Sequence, residues 1–210
     1  MKKTIYALLL IALVITIFFL GKKSATGNNS TQEFISTSQY TMTPMEVYQE
    51  MTFLLNDKWS LSPKEAQVDT TGAHKNPAIA HLVGTDAIGS EYKIIGRGAT
   101  FEELLLPNTM KKMVTMYHCN SFTNCTQMKA THYCAKKNQP EFLLNLKETT
   151  KEKFVFDCDM STKLCNSNED HIHKIILEIS EEGDHLKASY LAWKNKKLRK
   201  HHSIYHFDRL

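Results

Sequence analysis

Beyond residue 23 the sequence has no surplus of charge of either sign: 22 of its 26 basic residues lie there, against all 22 acidic ones. A neutral domain has no field with which to hold a polyanion, so no nucleic-acid partner is expected. The single basic cluster, Lys194, Lys196, Lys197, Arg199 and Lys200, lies between two alternating runs and reads as a solvated hairpin tip. The five cysteines include no C-x-x-C pair, which removes the commonest zinc-site signature. There is no internal repeat. No oxyanion-hole motif accompanies the one odd cysteine.

Small residues are also missing where a signal peptidase would need them. Lys2 and Lys3 precede an apolar run from Ile5 to Leu20, closed by Gly21, Lys22 and Lys23. A cut after Ala25 puts Lys23 at −3, and a cut after Gly21 puts Phe19 there. The run is long for a signal peptide and short for a membrane span, and the poor cleavage context favours an uncleaved anchor. Residues 1–23 are thus an N-terminal membrane anchor or signal segment. Residues 24–42 are a polar, flexible tether, and 43–210 form one exported domain. The expected location is a bacterial inner membrane facing the periplasm, or the periplasm or exterior if the segment is removed. No cysteine follows the apolar run, which argues against a lipid-modified terminus.

Cysteine spacing fits that compartment. Cys119 and Cys125 bracket one polar loop, and Cys158 and Cys165 another. Each pair stands where the arms of a hairpin meet its loop, so two disulfides are expected and Cys134 is left free. Thr43-Pro44-Met45-Glu46 is a capping box with proline at the first helical position. Val47, Met51, Leu54 and Leu55 then give one amphipathic helix ending near Leu55. From Glu91 onward the period is two. Strands are expected at 91–97, 99–106, 111–118, 126–134, 142–147, 153–158, 172–179, 186–194 and 202–208. The fold class is all-β with one N-terminal helix, an antiparallel lipocalin-like up-and-down β-barrel.

Alternation then assigns faces. With Cys119 placed opposite Cys125, residue 118 faces 126 and 116 faces 128. The inward set becomes Val114, Met116, His118, Met128, Ala130, His132 and Cys134. In the later strand His171, His173, Ile175, Leu177 and Ile179 share the more apolar face. Four histidines and a thiol are thereby expected to converge on the barrel interior or its mouth. Near the C-terminus, His202, Ile204 and His206 alternate with Ser203, Tyr205 and Phe207, and alternation does not choose between those faces.

Met116-Tyr117-His118, Thr131-His132-Tyr133-Cys134-Ala135 and Asn138-Gln139-Pro140, with His171-Ile172-His173 further on, resemble a family of exported bacterial proteins related to lipocalin-like domains of unknown function. Leu55-Asn56-Asp57-Lys58-Trp59 resembles that family's opening Leu-x-Gly-x-Trp, with Asn56-Asp57 replacing the usual glycine. The resemblance spans roughly residues 45–208 and implies a barrel, and it implies no activity.

The leading functional expectation is a barrel that holds a small, mostly apolar molecule. Its ligand-binding residues would be His118, His132, Cys134, Asn138, Gln139, His171 and His173. A metal or haem site is the alternative, since His-x-Cys and His-x-His place both side chains of each pair on one strand face. An enzyme using Cys134 as nucleophile, activated by His118 or His132, is the third. No cofactor is specified, and the expected partners are a small-molecule ligand and, through the N-terminal segment, a membrane.

Overall fold

The computed structural model describes residues 42–64 and 72–210. The apolar segment and nearly all of the tether lie outside those residues. No helix among the described residues is long and apolar enough to cross a membrane.

Helix α1 (Pro44–Leu55) begins as the capping box requires. Thr43 accepts from the Glu46 amide at 3.3 Å, and the Thr43 amide donates to the Glu46 carboxylate at 2.7 Å. Val47, Tyr48, Met51 and Leu55 form its buried stripe. The helix packs beside β2, β4 and β5, and Tyr48 donates to the Gly98 carbonyl at 2.9 Å.

The strands follow in order: β1 (Lys58–Leu61), β2 (Ile88–Ile95), β3 (Thr100–Leu105), β4 (Met113–Cys119), β5 (Met128–Tyr133), β6 (Glu141–Leu144), β7 (Lys153–Cys158), β8 (His171–Ile179), β9 (His185–Lys194), β10 (Lys197–Leu198) and β11 (Ser203–Arg209). From β1 to β9 each strand pairs antiparallel with the next, β11 pairs with β9, and β1 joins β11 to close a ten-stranded ring, with β10 a short extension on β9. This is the all-β, lipocalin-like barrel expected. All nine expected strands form. The strand that completes the ring, β1, is not among them, because its four residues are too few to show a period.

Trp59, Tyr92, Phe101, Tyr117, Phe142, Phe154, Phe156 and Phe207 are all buried and fill the barrel with rings. Tyr205 and Phe207 settle the C-terminal alternation by facing inward. Both expected disulfides are present, Cys119–Cys125 and Cys158–Cys165, and Cys134 is free. The basic tip is a tight turn through Asn195 and Lys196, both at positive φ. Arg199 departs from the solvated reading by pairing with Asp170 at 2.7 Å.

Antiparallel pairing gives the barrel two distinct ends. The start of β1, the end of β4 and the end of β11 lie with α1 at one end. The start of β4, the end of β5, the start of β8 and the start of β11 lie at the other.

Candidate functional site

The register of β4 and β5 decides what reaches the interior. Cys119 stands opposite Met128, Tyr117 opposite Ala130 and Thr115 opposite His132. The pairing is three residues away from the one expected, because Cys125 bridges from within the loop and is not the strand partner of Cys119. An odd shift turns one strand over relative to the other. Thr115 and Tyr117 therefore point inward with Met128, Ala130 and His132, all of them buried. Val114, Met116 and His118 lie on the outer face. His118 is half-buried there, with Nδ1 3.1 Å from the Cys119 carbonyl.

Strand β8 also departs from the expected alternation. Ile172 pairs with Ala192 and Lys174 with Leu191, so His173 is the extra residue of a bulge. Beyond it Ile175, Leu177 and Ile179 face inward as expected. Before it the faces exchange: Ile172 looks into the barrel mouth, while His171 pairs with Trp193. His171 and His173 do not line the mouth. His171 is bound to the Glu169 carbonyl through Nδ1 at 2.8 Å, and its Nε2 lies 3.0 Å from His173 Nδ1. His173 stacks on Trp193 at 3.8 Å between centroids. Burial, and next the neighbouring His171, hold the pKa of His173 down to about 4.

The expected convergence of four histidines and a thiol thus reduces to His132 and Cys134. Both line a cavity of about 310 Å³ at the end of the barrel opposite α1. Tyr190, Tyr205, Ile172 and Met113 supply its apolar and aromatic wall, and Lys111 and Lys136 stand at its edge. Asn138 and Gln139 lie outside it. Asn138 instead ties the β5–β6 turn to the start of β8, donating to the Asp170 carbonyl at 3.0 Å, and Gln139 is exposed. Asp170 is clasped by Lys136 at 2.8 Å and Arg199 at 2.7 Å. Burial raises its pKa, but those two cations outweigh burial and hold the carboxyl below its usual value.

Beneath the cavity lies a polar group outside the expected set. Glu103 is fully buried, and among the described residues no cation pairs with it. Tyr92 donates to its Oε1 at 3.0 Å and Tyr117 to its Oε2 at 2.9 Å, and Tyr190 donates to Oε1 as well. The Thr115 hydroxyl also acts to lower the Glu103 pKa. Burial raises the Glu103 pKa, and the hydroxyl donors oppose the rise. The signal was in the alternation: Phe101, Glu103 and Leu105 share one face, and the flanking apolar pair places the carboxylate inside.

The network continues upward. Thr115 Oγ1 is 2.9 Å from His132 Nδ1. A threonine hydroxyl has one proton to give. When that proton goes to the Glu103 carboxylate, Thr115 accepts from His132 Nδ1–H, and His132 Nε2 carries the lone pair. Burial lowers the His132 pKa to about 4, so the ring is neutral at ordinary pH. Cys134 next along the strand is kept a thiol, because burial pushes its pKa up. Its amide and carbonyl are both engaged in the β5–β6 turn, the amide donating to Asn138 O at 3.1 Å.

No family model matches the chain, and a search of the curated proteins returns no match.

Proposed function

We propose that the protein is an exported binder of a small, partly apolar molecule, held in the mouth cavity and oriented by His132. The observation that carries this reading is the cavity of about 310 Å³ with His132 in its lining, Nδ1 engaged from below. Its size is at the lower end of small-molecule sites, about 300–1,000 Å³. The ligand is compact and held near the rim, above the buried aromatic side chains. Tyr190, Tyr205 and Ile172 supply its apolar contacts.

Network geometry also defines a preference. In the tautomer with Nδ1–H directed at Thr115, the remaining nitrogen accepts. A ligand with an O–H or N–H donor satisfies it, and one presenting only acceptors leaves two lone pairs opposed. Cys134, as a thiol, contributes a soft, weakly polar wall. Two disulfides and the N-terminal apolar run support work outside the cytoplasm.

The test is a fragment panel of phenols and anilines beside their O- and N-methylated analogues, screened by saturation-transfer NMR. Donor-bearing fragments should bind, methylated ones should not, and His132→Phe should erase the difference while the circular dichroism stays unchanged. Equal binding of both sets to the wild-type protein would remove His132 from the role assigned to it.

A further inference from the structure

We propose that Cys158, His171 and His173 form a latent site for a divalent transition metal, such as zinc, which the Cys158–Cys165 disulfide holds closed. Among the described residues these three offer ligand atoms that all lie within 4.8 Å of one another. They come together because of two local features. The bulge at His173 brings both imidazoles to the Trp193 side of the sheet, and the β7–β8 loop returns through Cys165 onto Cys158.

The imidazole pair is arranged as a chelate. His171 Nδ1 must donate, since its partner at 2.8 Å is the Glu169 carbonyl. Its Nε2 therefore holds the lone pair, as it would in a metal-bound histidine anchored by a backbone carbonyl. His173 Nδ1 then supplies the proton of the 3.0 Å contact between the rings. Two nitrogens on one tetrahedral zinc ion, each at about 2.0–2.1 Å, stand about 3.3 Å apart. The pair needs to open by a few tenths of an ångström, and both rings to tilt until their lone pairs converge on the ion. Trp193 stacked on His173 limits how far that ring can turn.

In the disulfide form Cys158 has no thiolate to offer, and two imidazoles alone make a weak site. A dithiol reductant changes this. It gives two electrons and two protons to the Cys158–Cys165 bond and becomes a cyclic disulfide. A divalent ion then binds Cys158 as thiolate, releasing that thiol proton, while the Nδ1 proton of His173 is re-sited on its Nε2 through solvent. Three protein ligands leave one tetrahedral position open. Burial of Cys158 and His171, with His173 half-buried, favours a soft, partly desolvated ion over a hard hydrated one.

Cysteine substitution separates this from the mouth cavity, since Cys134 is present in every protein compared. In the full chain, Cys165→Ser frees Cys158 without a reductant, and cobalt(II) serves as the probe. The expected result is a near-ultraviolet thiolate-to-cobalt charge-transfer band at one equivalent in C165S. The band should be absent from oxidised wild-type protein, from C158S and from C165S/H173A. A folded C165S with no such band, or a band that survives in C165S/H173A, overturns the proposal. Should C165S fail to fold, wild-type protein reduced by dithiothreitol is titrated with zinc against a chromophoric chelator. One equivalent bound on reduction, lost in C158S, supports the site, and equal uptake by C158S refutes it. Fragment binding at His132 is unaffected by either result.

Discussion

His132 stays neutral to a lower pH in the folded protein than it does once exposed, and that difference has a sign. Its pKa is about 4 when folded, because burial disfavours the imidazolium, against 6.5 when free. Between those values the unfolded chain binds the extra proton, so stability rises with pH through the window and is level below it. The full span corresponds to about 3 kcal/mol. Glu103 acts oppositely. Burial raises its folded pKa, so its contribution is complete below 4.5 and declines as pH rises towards the folded value. Comparing wild type with His132→Gln by urea denaturation from pH 4 to 7.5 isolates the histidine. The stability difference should shift in favour of the wild type with rising pH, by up to about 3 kcal/mol. A difference that is flat with pH would mean that His132 titrates normally. Glu103 has its own test at neutral pH. Glu103→Ala leaves three tyrosine hydroxyls without their acceptor and opens a cavity, and should cost at least about 3 kcal/mol. Glu103→Gln keeps an acceptor oxygen and the volume, and should cost less than half as much by the same measurement.

At the scale of elements, the strands were legible and their mutual registers were not. Period-two runs locate a strand from its own residues, and a capping box locates a helix start, so α1 and nine strands could be read directly. Register depends on how a loop is spent, and the Cys119–Cys125 bridge invited a pairing that the loop does not use. One odd shift moved His118 outside and brought Thr115 and Tyr117 in. Likewise a single extra residue at His173 turned two histidines away from the mouth, and no local composition announces a bulge of that kind. Glu103, by contrast, could have been placed from Phe101 and Leu105. The disulfide, on this view, constrains the hairpin without setting its register. C119S/C125S should lose about 2 kcal/mol, the loop-closure value for a ring this short. Cross-strand NOEs between Thr115 and His132 should persist in that variant. A shifted NOE pattern would show that the bridge sets the pairing after all.

For the whole molecule, the two ends of the barrel have different tasks, and closure belongs to the end that carries α1. Arg209, in the last strand, lies 4.3 Å above the Trp59 ring and meets Asp57 at 2.9 Å. Its Nη2 donates to the Leu54 carbonyl at 2.7 Å and its Nε to the Gly183 carbonyl at 2.8 Å. One planar, five-donor group therefore joins the end of α1, the start of β1, the β8–β9 turn and β11, where first and last strands meet. Lysine cannot reproduce this, having neither the fork nor the flat face. Arg209→Ala removes a stacked cation and strands two carbonyls, and should cost about 2–4 kcal/mol, with Arg209→Lys recovering only part. The mouth cavity is built from the opposite ends of the strands and shares no side chain with this cluster. Independent sites add. Arg209→Ala combined with His132→Gln should therefore give the sum of the two losses within about 0.5 kcal/mol. Donor-bearing fragments should bind Arg209→Ala as they bind wild type at a temperature where both are folded. A coupling well above 0.5 kcal/mol, or fragment binding lost in Arg209→Ala alone, would mean that the packed aromatic core transmits strain from the closed end to the mouth.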